Sequence, residues 1–369
     1  MRITTHSKRF YNCLETVEKA LPLRTTVPLI NYIYFEVNAN ELVFSSTNLE
    51  MALKVKMDYQ SSETGKVLLP SKIIDIMRYF PTEEVNIDIN WDNHRIDISG
   101  GSAHFNLLGS DPQDYPVTSF SEVAEHDSYI IDQKKLKSML KSVIFAASSE
   151  ETRPAFNGIL FSFKDDQLTL TASDTYRLAI KKEKDEKWAF EEKKCLVPAR
   201  VMRDLLRLLD DHEERVFFKF DNNSIAFMFD SNHFISRLLE EKYPDVSGVI
   251  PNTYQTRAVI DRKVFENIIN RATLLAEGKN QAVNLILKDS QLEARVISQQ
   301  GRMDESIPVE QNGECIDLYV NTRFVIDLLK ATEEKNIIMD FHGDGGPIIF
   351  RHVDNQNYLY LVLPIKKVN

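Results

Sequence analysis

The sequence predicts an α+β chain built from three similar domains, each with two helices packed on antiparallel sheets. One segment occurs three times, a helix-then-hairpin order recurs around each copy, and the copies stand about a third of the chain apart. Leu69-Pro70-Ser71-Lys72-Ile73-Ile74 returns as Val197-Pro198-Ala199-Arg200-Val201-Met202 and again as Val320-Asn321-Thr322-Arg323-Phe324-Val325. Lys72 and Arg200 lie 128 residues apart, Arg200 and Arg323 123. Solenoid and propeller repeats span only about 20–50 residues, so a repeat this long is a whole domain with its own core. The expected domains are 1–125, 126–252 and 253–369. Three alike in one chain point to an object made by symmetry, an arc or a ring.

Each third opens with an amphipathic helix, over 7–21, 132–147 and 261–276. Phe10, Leu14 and Val17 fall on one stripe of the first, Leu136, Leu140 and Val143 on one of the second, and Phe265, Ile268 and Ile269 on one of the third. Ser7, Asp132 and Asp261 stand where an N-cap would accept from free backbone N–H groups. Two strand-like runs follow each helix: 30–37 with 41–46, 158–163 with 167–172, and 282–287 with 291–297. The residues between them, Asn38-Ala39-Asn40, Lys164-Asp165-Asp166 and Lys288-Asp289-Ser290, have hairpin-turn chemistry. The thrice-repeated segment then supplies a second helix, and more strands close each third.

At 43% apolar and 27% charged residues, the composition predicts a folded, soluble chain with material for two or three cores. No run of about eighteen apolar residues is present, and the first residues do not read as a signal peptide, so a cytoplasmic protein is expected. Cys13, Cys195 and Cys315, one per third, fit reduced thiols and make neither a disulfide framework nor a zinc site.

The formal net charge of −10 argues against nucleic acid until it is divided. The helical segments 7–20, 71–79, 132–142, 199–209, 261–271 and 322–330 carry seventeen basic and eight acidic residues, or +9, leaving −19 for the remainder. Polar helix faces are often lysine-rich, which explains any one helix. All six having the same sign in an acidic chain suits a protein that meets phosphate on one surface only.

No GxSxG, GxxxxGK[ST], HExxH or CxxC occurs, and no catalytic centre, metal site or cofactor site is expected. Gly343-Asp344-Gly345-Gly346 lies between strand-like runs and reads as a turn. Ser173-Asp174-Thr175-Tyr176-Arg177 collects reactive side chains, but its repeat partner Thr47-Asn48-Leu49-Glu50-Met51 lacks the Asp, Tyr and Arg. Shared position without shared chemistry suggests a structural turn that one domain has adapted for binding. The rival reading is an enzyme using Asp174, Tyr176 and Arg177.

Thr47–Met51, Arg153-Pro154-Ala155-Phe156-Asn157-Gly158-Ile159-Leu160-Phe161, the stretch Ala172–Ala179, Tyr243-Pro244-Asp245 with Val249-Ile250-Pro251, and Tyr360-Leu361-Val362-Leu363-Pro364-Ile365 carry a resemblance. In this order and spacing, within a threefold repeat, the chain resembles the bacterial DNA sliding clamps, the beta subunits of DNA polymerase III holoenzyme. The resemblance extends over essentially the whole chain. It implies three clamp-type domains forming half of a ring that a second copy closes head to tail, with helices lining the hole and sheets outside. Such a contact needs two different surfaces. By similarity these are Phe105, Leu107 and Leu108 in the first domain and Leu274 and Leu275 on the third domain's first helix. From the residues alone, Leu274 and Leu275 read equally as core.

The resemblance also implies sequence-independent, topological holding of duplex DNA. Arg24, Lys72, Arg200 and Arg207 match family positions; Arg78, Lys137, Lys141 and Arg203 follow from helix pattern alone. A further implication is a peptide pocket between the second and third domains. There the replicative polymerase, the clamp loader, other polymerases and repair proteins dock a short, mostly apolar motif. Matching positions in the second domain are Arg153, Phe156, Ser173, Thr175, Tyr176, Arg177, Leu178, Pro244 and Val249. In the third they are Phe324, Pro347, Leu361 and Leu363. Taken alone, Leu178, Val249 and Leu361 read as core; as pocket floor, Leu178→Asp abolishes partner binding and spares the dimer. Thr175 stands where the family usually carries Gly or Ser, which would narrow the pocket mouth, and Gly248 where some relatives carry a basic side chain. A clamp-like scaffold that does not encircle DNA is the second alternative.

Overall fold

The expected helices form, and each buries the stripe that predicts it. The structure, a computed structural model, describes residues 1–116, 128–150, 152–185, 188, 192–278 and 281–366; the expected boundary at 125/126 lies outside the described residues. The helices are α1 (Ser7–Glu18), α2 (Lys72–Arg78), α3 (Gln133–Val143), α4 (Ala199–Leu206), α5 (Arg262–Leu275) and α6 (Thr322–Ala331). Phe10, Leu14, Val17, Leu136, Leu140, Val143, Phe265, Ile268 and Ile269 are all buried. Asp261 caps α5, its carboxylate accepting from Val264 N at 3.0 Å, and Asn321 caps α6 through Arg323 N at 2.9 Å. Ser7 is no cap. His6 flanks α1 without a side-chain bond, while Ser7 Oγ donates to Thr82 O (2.6 Å) and Ser7 N to Glu83 O (2.7 Å). The chain enters α1 straight from a paired strand, so the neighbouring backbone supplies the partners a cap would.

Antiparallel pairing organises the rest into two compact units, Met1–Leu136 with Arg203–Leu238, and Lys137–Met202 with Leu239–Asn369. The first unit holds a four-stranded sheet of β1 (Arg2–His6), β6 (Glu84–Asn90), β7 (Arg95–Gly100) and β8 (Ala103–Leu108). Its eight-stranded sheet runs β5 (Gly65–Pro70), β2 (Tyr32–Val37), β3 (Glu41–Thr47), β4 (Met51–Asp58), β16 (Asn232–Arg237), β15 (Ser224–Phe229), β14 (Arg215–Phe220), β9 (Tyr129–Asp132). In β4 the period-2 alternation sends Leu53, Val55 and Met57 into the core, while Lys54 and Lys56 stay partly exposed.

The second unit's nine-stranded sheet begins β13 (Lys193–Pro198), β10 (Gly158–Lys164), β11 (Gln167–Ser173), β12 (Arg177–Lys184). It continues through β25 (Tyr358–Val362), β24 (Ile348–His352), β23 (Asn336–Phe341), β17 (Thr256–Asp261) and β21 (Glu310–Gly313). A four-stranded sheet of β20 (Gly301–Pro308), β19 (Gln291–Ser298), β18 (Ala282–Lys288) and β22 (Ile316–Asn321) completes the unit. Each large sheet is continuous across the join between two sequence repeats, through β4 with β16 and through β12 with β25. The compact units therefore do not coincide with the thirds of the sequence.

The turns follow the sequence closely. Asp165 and Asp166, and again Asp289 and Ser290, have φ between 52° and 58°, the left-handed pair that a two-residue hairpin of the favoured twist requires. The first hairpin starts later than expected, at Tyr32, because Pro28 opens a 3₁₀ turn over Pro28–Asn31. Gly343–Gly346 is the expected turn, between β23 and β24. The three thiols are unpaired; burial pushes Cys13 up to about 11 and Cys195 up to about 12, and Cys315 is exposed. Among the described residues no helix is long and apolar enough to cross a membrane.

Candidate peptide-docking site and basic helix surface

The tight turn between β11 and β12 is built by its own side chains. Asp174 Oδ1 accepts from Tyr176 N and Arg177 N (both 3.0 Å); Ser173 Oγ donates to Arg177 O (2.7 Å) and accepts from Thr175 N (3.1 Å). The first repeat makes the same bonds with different residues. Asn48 Oδ1 accepts from Glu50 N and Met51 N, and Thr47 Oγ1 bonds Met51 O and Leu49 N. Leu49 (φ 74°) and Thr175 (φ 79°) occupy the same left-handed position. Asn48 is thus equivalent to an Asp here, because both offer one side-chain oxygen to two amides.

Arg177 extends the second turn into a lock. It bonds Asp174 Oδ2 (2.8 Å), Asp327 Oδ2 of α6 (2.5 Å) and Phe145 O (2.6 Å), and its guanidinium lies 4.5 Å from the Phe324 ring centroid. Burial opposes its charge, yet Tyr360, Asp327 and Asp174 raise its pKa above the ordinary arginine value. Tyr360 Oη donates to Phe324 O at 2.9 Å, tying the same helix start to β25. The rival catalytic trio therefore has other work: Asp174 holds the turn and Arg177 ties it to α6. Asp327 escapes sequence reasoning, although its place three residues after Phe324, on one helix face, is the signal that could have found it.

The apolar residues separate into a floor and a rim. Leu178 (2% exposed) and Leu361 (3%), paired across β12 and β25, cluster with Ile349 and Leu359, and Val246 and Ile250 pack against them. Around this floor Tyr176 (63%), Val249 (56%) and Leu363 (42%) stand exposed, with Leu363 N bonded to Tyr176 O at 2.9 Å. Arg153 Nη1 donates to Thr175 Oγ1 (3.0 Å), which pins Thr175 at one side of the turn. Phe156 packs edge-on to Tyr243 (5.6 Å), next to exposed Pro244; Pro347, two residues before Ile349, is half-buried. A Cβ on Gly248 would meet nothing within 4 Å, so that stretch of rim is open. All thirteen expected pocket residues lie in the second unit. Leu178, Leu361 and Ser173 are buried in it, and Leu178→Asp would place a charge in a core.

The expected basic residues sit on helices or beside them. In the first unit Arg24 is exposed after α1. Lys72 Nζ lies 3.0 Å from Asp75, and Arg78 bonds Tyr11 Oη (3.0 Å) with Asp75 and Glu18 at 3.4 Å. Arg207 is exposed, 3.2 Å from Asp204, and Arg203 is half-buried. In the second unit Lys141 lies 3.4 Å from Glu333, Arg200 is exposed and Lys137 partly so. Exposed pairs of this kind are held by only about 0–1 kcal/mol and give way to a competing anion.

The expected interface residues lie at free ends. Phe105 and Leu108 are exposed on β8, an outer strand of its sheet, with Leu107 half-buried. Leu274 is 80% exposed and Leu275 half-buried, whereas Phe265, Ile268, Ile269 and Ala272 form the buried face of α5. Leu274 is therefore not core.

Family models of the DNA polymerase III beta subunit match three consecutive stretches, the N-terminal domain over 1–119, the central domain over 130–245 and the C-terminal domain over 247–366. A beta sliding clamp of Staphylococcus epidermidis is 30% identical, and one of Staphylococcus aureus 29%, each match covering 99% of both chains. Among solved structures, the DNA polymerase sliding clamp of Bacillus subtilis aligns with a TM-score of 0.93 at 26% identity. A putative DNA polymerase III beta subunit of Eubacterium rectale aligns with a TM-score of 0.93 at 25%, and both alignments cover 100% of each chain.

Proposed function

Since this chain belongs to the family of bacterial sliding clamps, the beta subunits of DNA polymerase III, we propose that two copies close head to tail into a ring around duplex DNA and tether partner proteins at the docking site of the second unit. The observation that carries the tethering is the exposed rim of Tyr176, Val249 and Leu363 over a buried leucine floor. A short apolar motif bearing Leu and Phe side chains fits such a surface, and the peptide owners are a replicative polymerase, a clamp loader and repair proteins. The chain catalyses nothing itself. Tethering raises the local concentration of a polymerase without strengthening any single contact.

Ring closure is supported by how the sheets join within the chain. Both internal joins, β4 with β16 and β12 with β25, are antiparallel pairings of strands from successive repeats. The outer strands β8 and β20 are the sheet ends that a second copy would join in the same manner, with Phe105, Leu107 and Leu108 against Leu274 and Leu275. In this reading the domains are 1–125, 126–252 and 253–369, the protein works in the cytoplasm, and the basic helix residues attract phosphate without reading bases. The test is retention on nicked circular DNA after loading by a clamp loader competent for this protein. A ring stays on the circle at high salt and runs off once the circle is cut. If cutting changes nothing and salt alone removes the protein, it is a surface binder or a scaffold.

A further inference from the structure

The leucine floor does not end at β25. Leu178 on β12 pairs with Leu361 on β25, Leu361 with Ile349 on β24, Ile349 with Asp340 on β23, and Asp340 with Arg257 on β17. Opposed residues of antiparallel strands project from one face, so these five form a single row that passes from apolar to ionic. A second row runs beside it through Ile180, Leu359, Arg351 and Ile338. Arg351 therefore borders Leu359, which belongs to the floor, and stands on the same face of β24 as Ile349. The segment 246–255 walls both parts: Val246 and Ile250 pack on the floor, and the Tyr254 ring centroid lies 4.2 Å from the Arg257 guanidinium.

Two arginines share one carboxylate in this row. Arg257 grips buried Asp340 through Nε to Oδ1 (2.6 Å) and Nη2 to Oδ2 (2.9 Å), and Arg351 Nε reaches Oδ2 at 3.4 Å. Two positive charges against one negative leave one positive charge uncompensated. Among the described residues both Nη groups of Arg351 and the Nη1 of Arg257 lack an acceptor, although both side chains are half-buried. Donors so placed ordinarily find one. Asp340 already accepts three bonds and has little capacity left for a second guanidinium fork. Glu310, opposite Val259 on β21, pairs with neither arginine among the described residues, and it is three strands, about 14 Å, from Arg351. Lys182, exposed two residues beyond Ile180, adds to the positive charge of the face.

We propose that Arg351 and Arg257 form a carboxylate subsite continuous with the docking floor, and that it takes an Asp or Glu side chain of the same peptide that seats its apolar side chains over Leu178 and Leu361. The inference rests on the docking reading above and adds a requirement to it, an acidic residue beside the apolar motif. A planar carboxylate matches the paired N–H groups of a guanidinium fork. With strands about 4.8 Å apart and about 3.4 Å per residue along them, Arg351 starts about 8 Å from Leu361 and Arg257 about 14 Å. An extended peptide advances about 3.3 Å per residue, so the acid belongs about two to four residues from the apolar side chain anchored on Leu361.

The test compares labelled apolar peptides with Leu and Phe anchors that carry one Glu two to four residues beyond the anchors, on either flank, with the same peptides carrying Gln. Affinity is read by fluorescence polarisation over a salt series. On the parent protein the Glu peptide of one flank is expected to bind about 3- to 10-fold tighter than its Gln twin at low salt, and the advantage to shrink as salt rises. This arm needs no variant of the protein. Arg351→Gln is expected to abolish the advantage and Arg351→Lys, which keeps the charge but not the fork, to retain part of it; melting temperature confirms that each variant is folded. Equal binding of Glu and Gln peptides to the parent on both flanks overturns the carboxylate subsite and leaves the docking reading standing. An advantage that survives in both Arg351→Gln and Arg257→Gln overturns its assignment to these arginines. If no peptide of either kind binds the parent, the docking reading fails and the subsite with it.

Discussion

Removing the Tyr176 side chain is expected to weaken partner docking without disturbing the fold. Its ring is 63% exposed, and the bonds at this residue are made by backbone atoms, N to Asp174 Oδ1 and O from Leu363 N. Tyr176→Ala therefore leaves the turn intact. A tyrosine side chain offers roughly 200 Å², so this exposure leaves ~130 Å² for a partner to cover. At about 25 cal/mol per Å² that area corresponds to about 3 kcal/mol. Ordering the ring and the peptide consumes part of it, which leaves about 1–2 kcal/mol, a 5- to 30-fold loss of affinity. The assay is fluorescence polarisation with a labelled apolar peptide taken from a replicative polymerase that carries the short docking motif, with melting temperature read alongside. An unchanged affinity refutes the rim assignment. An equally large fall in melting temperature would show that Tyr176 supports the fold rather than the partner. Leu178→Asp cannot separate these outcomes, because at 2% exposure its first effect is on the core.

Other perturbations follow from the same geometry. Arg177→Met should strand Asp174 and Asp327 beside an apolar side chain and cost about 2–3 kcal/mol, read as a lower melting temperature together with weaker peptide binding; an unchanged melting temperature would show that the lock is dispensable. Thr175→Gly should relieve a β-branched residue held at φ 79° and outweigh the lost bond from Arg153, raising the melting temperature by about 1–4 °C; a fall would mean that the Arg153 bond dominates. Although Glu334 lies 3.5 Å away, burial and then the Lys181 charge push His352 down to about 4. The unfolded chain then binds the extra proton, so stability should fall as pH drops from about 6.5 towards 4. His352→Gln should flatten that part of a melting-temperature profile, and an equally steep profile in the variant would acquit His352.

Local pattern was enough to find the helices, the hairpins and the repeat. Phe10-Leu14-Val17 and its two counterparts recur with helical period whatever surrounds them, and Asp165-Asp166 or Asp289-Ser290 tolerate a left-handed turn in isolation. The matching turns at Thr47–Met51 and Ser173–Arg177 were legible as one motif because their bonds span only five residues. Where a repeat ends and a compact unit begins was not legible. β12 and β25 meet across about 180 residues of sequence, and strand alternation says which side chains share a face but not which distant strand lies alongside. The same limit governed the site. Leu178, Leu361, Leu363 and Val249 are all apolar and close to β-strands, and only the packing of Ile349, Leu359, Val246 and Ile250 around Leu178 and Leu361 decides that two are floor and two are rim. Arg177 reads as a binding residue until Asp327, Phe145 and Phe324 arrive from elsewhere in the chain to hold it. Periodicity is a property of neighbours along the chain, whereas burial and pairing are properties of neighbours in space, and only the folded chain brings the two together.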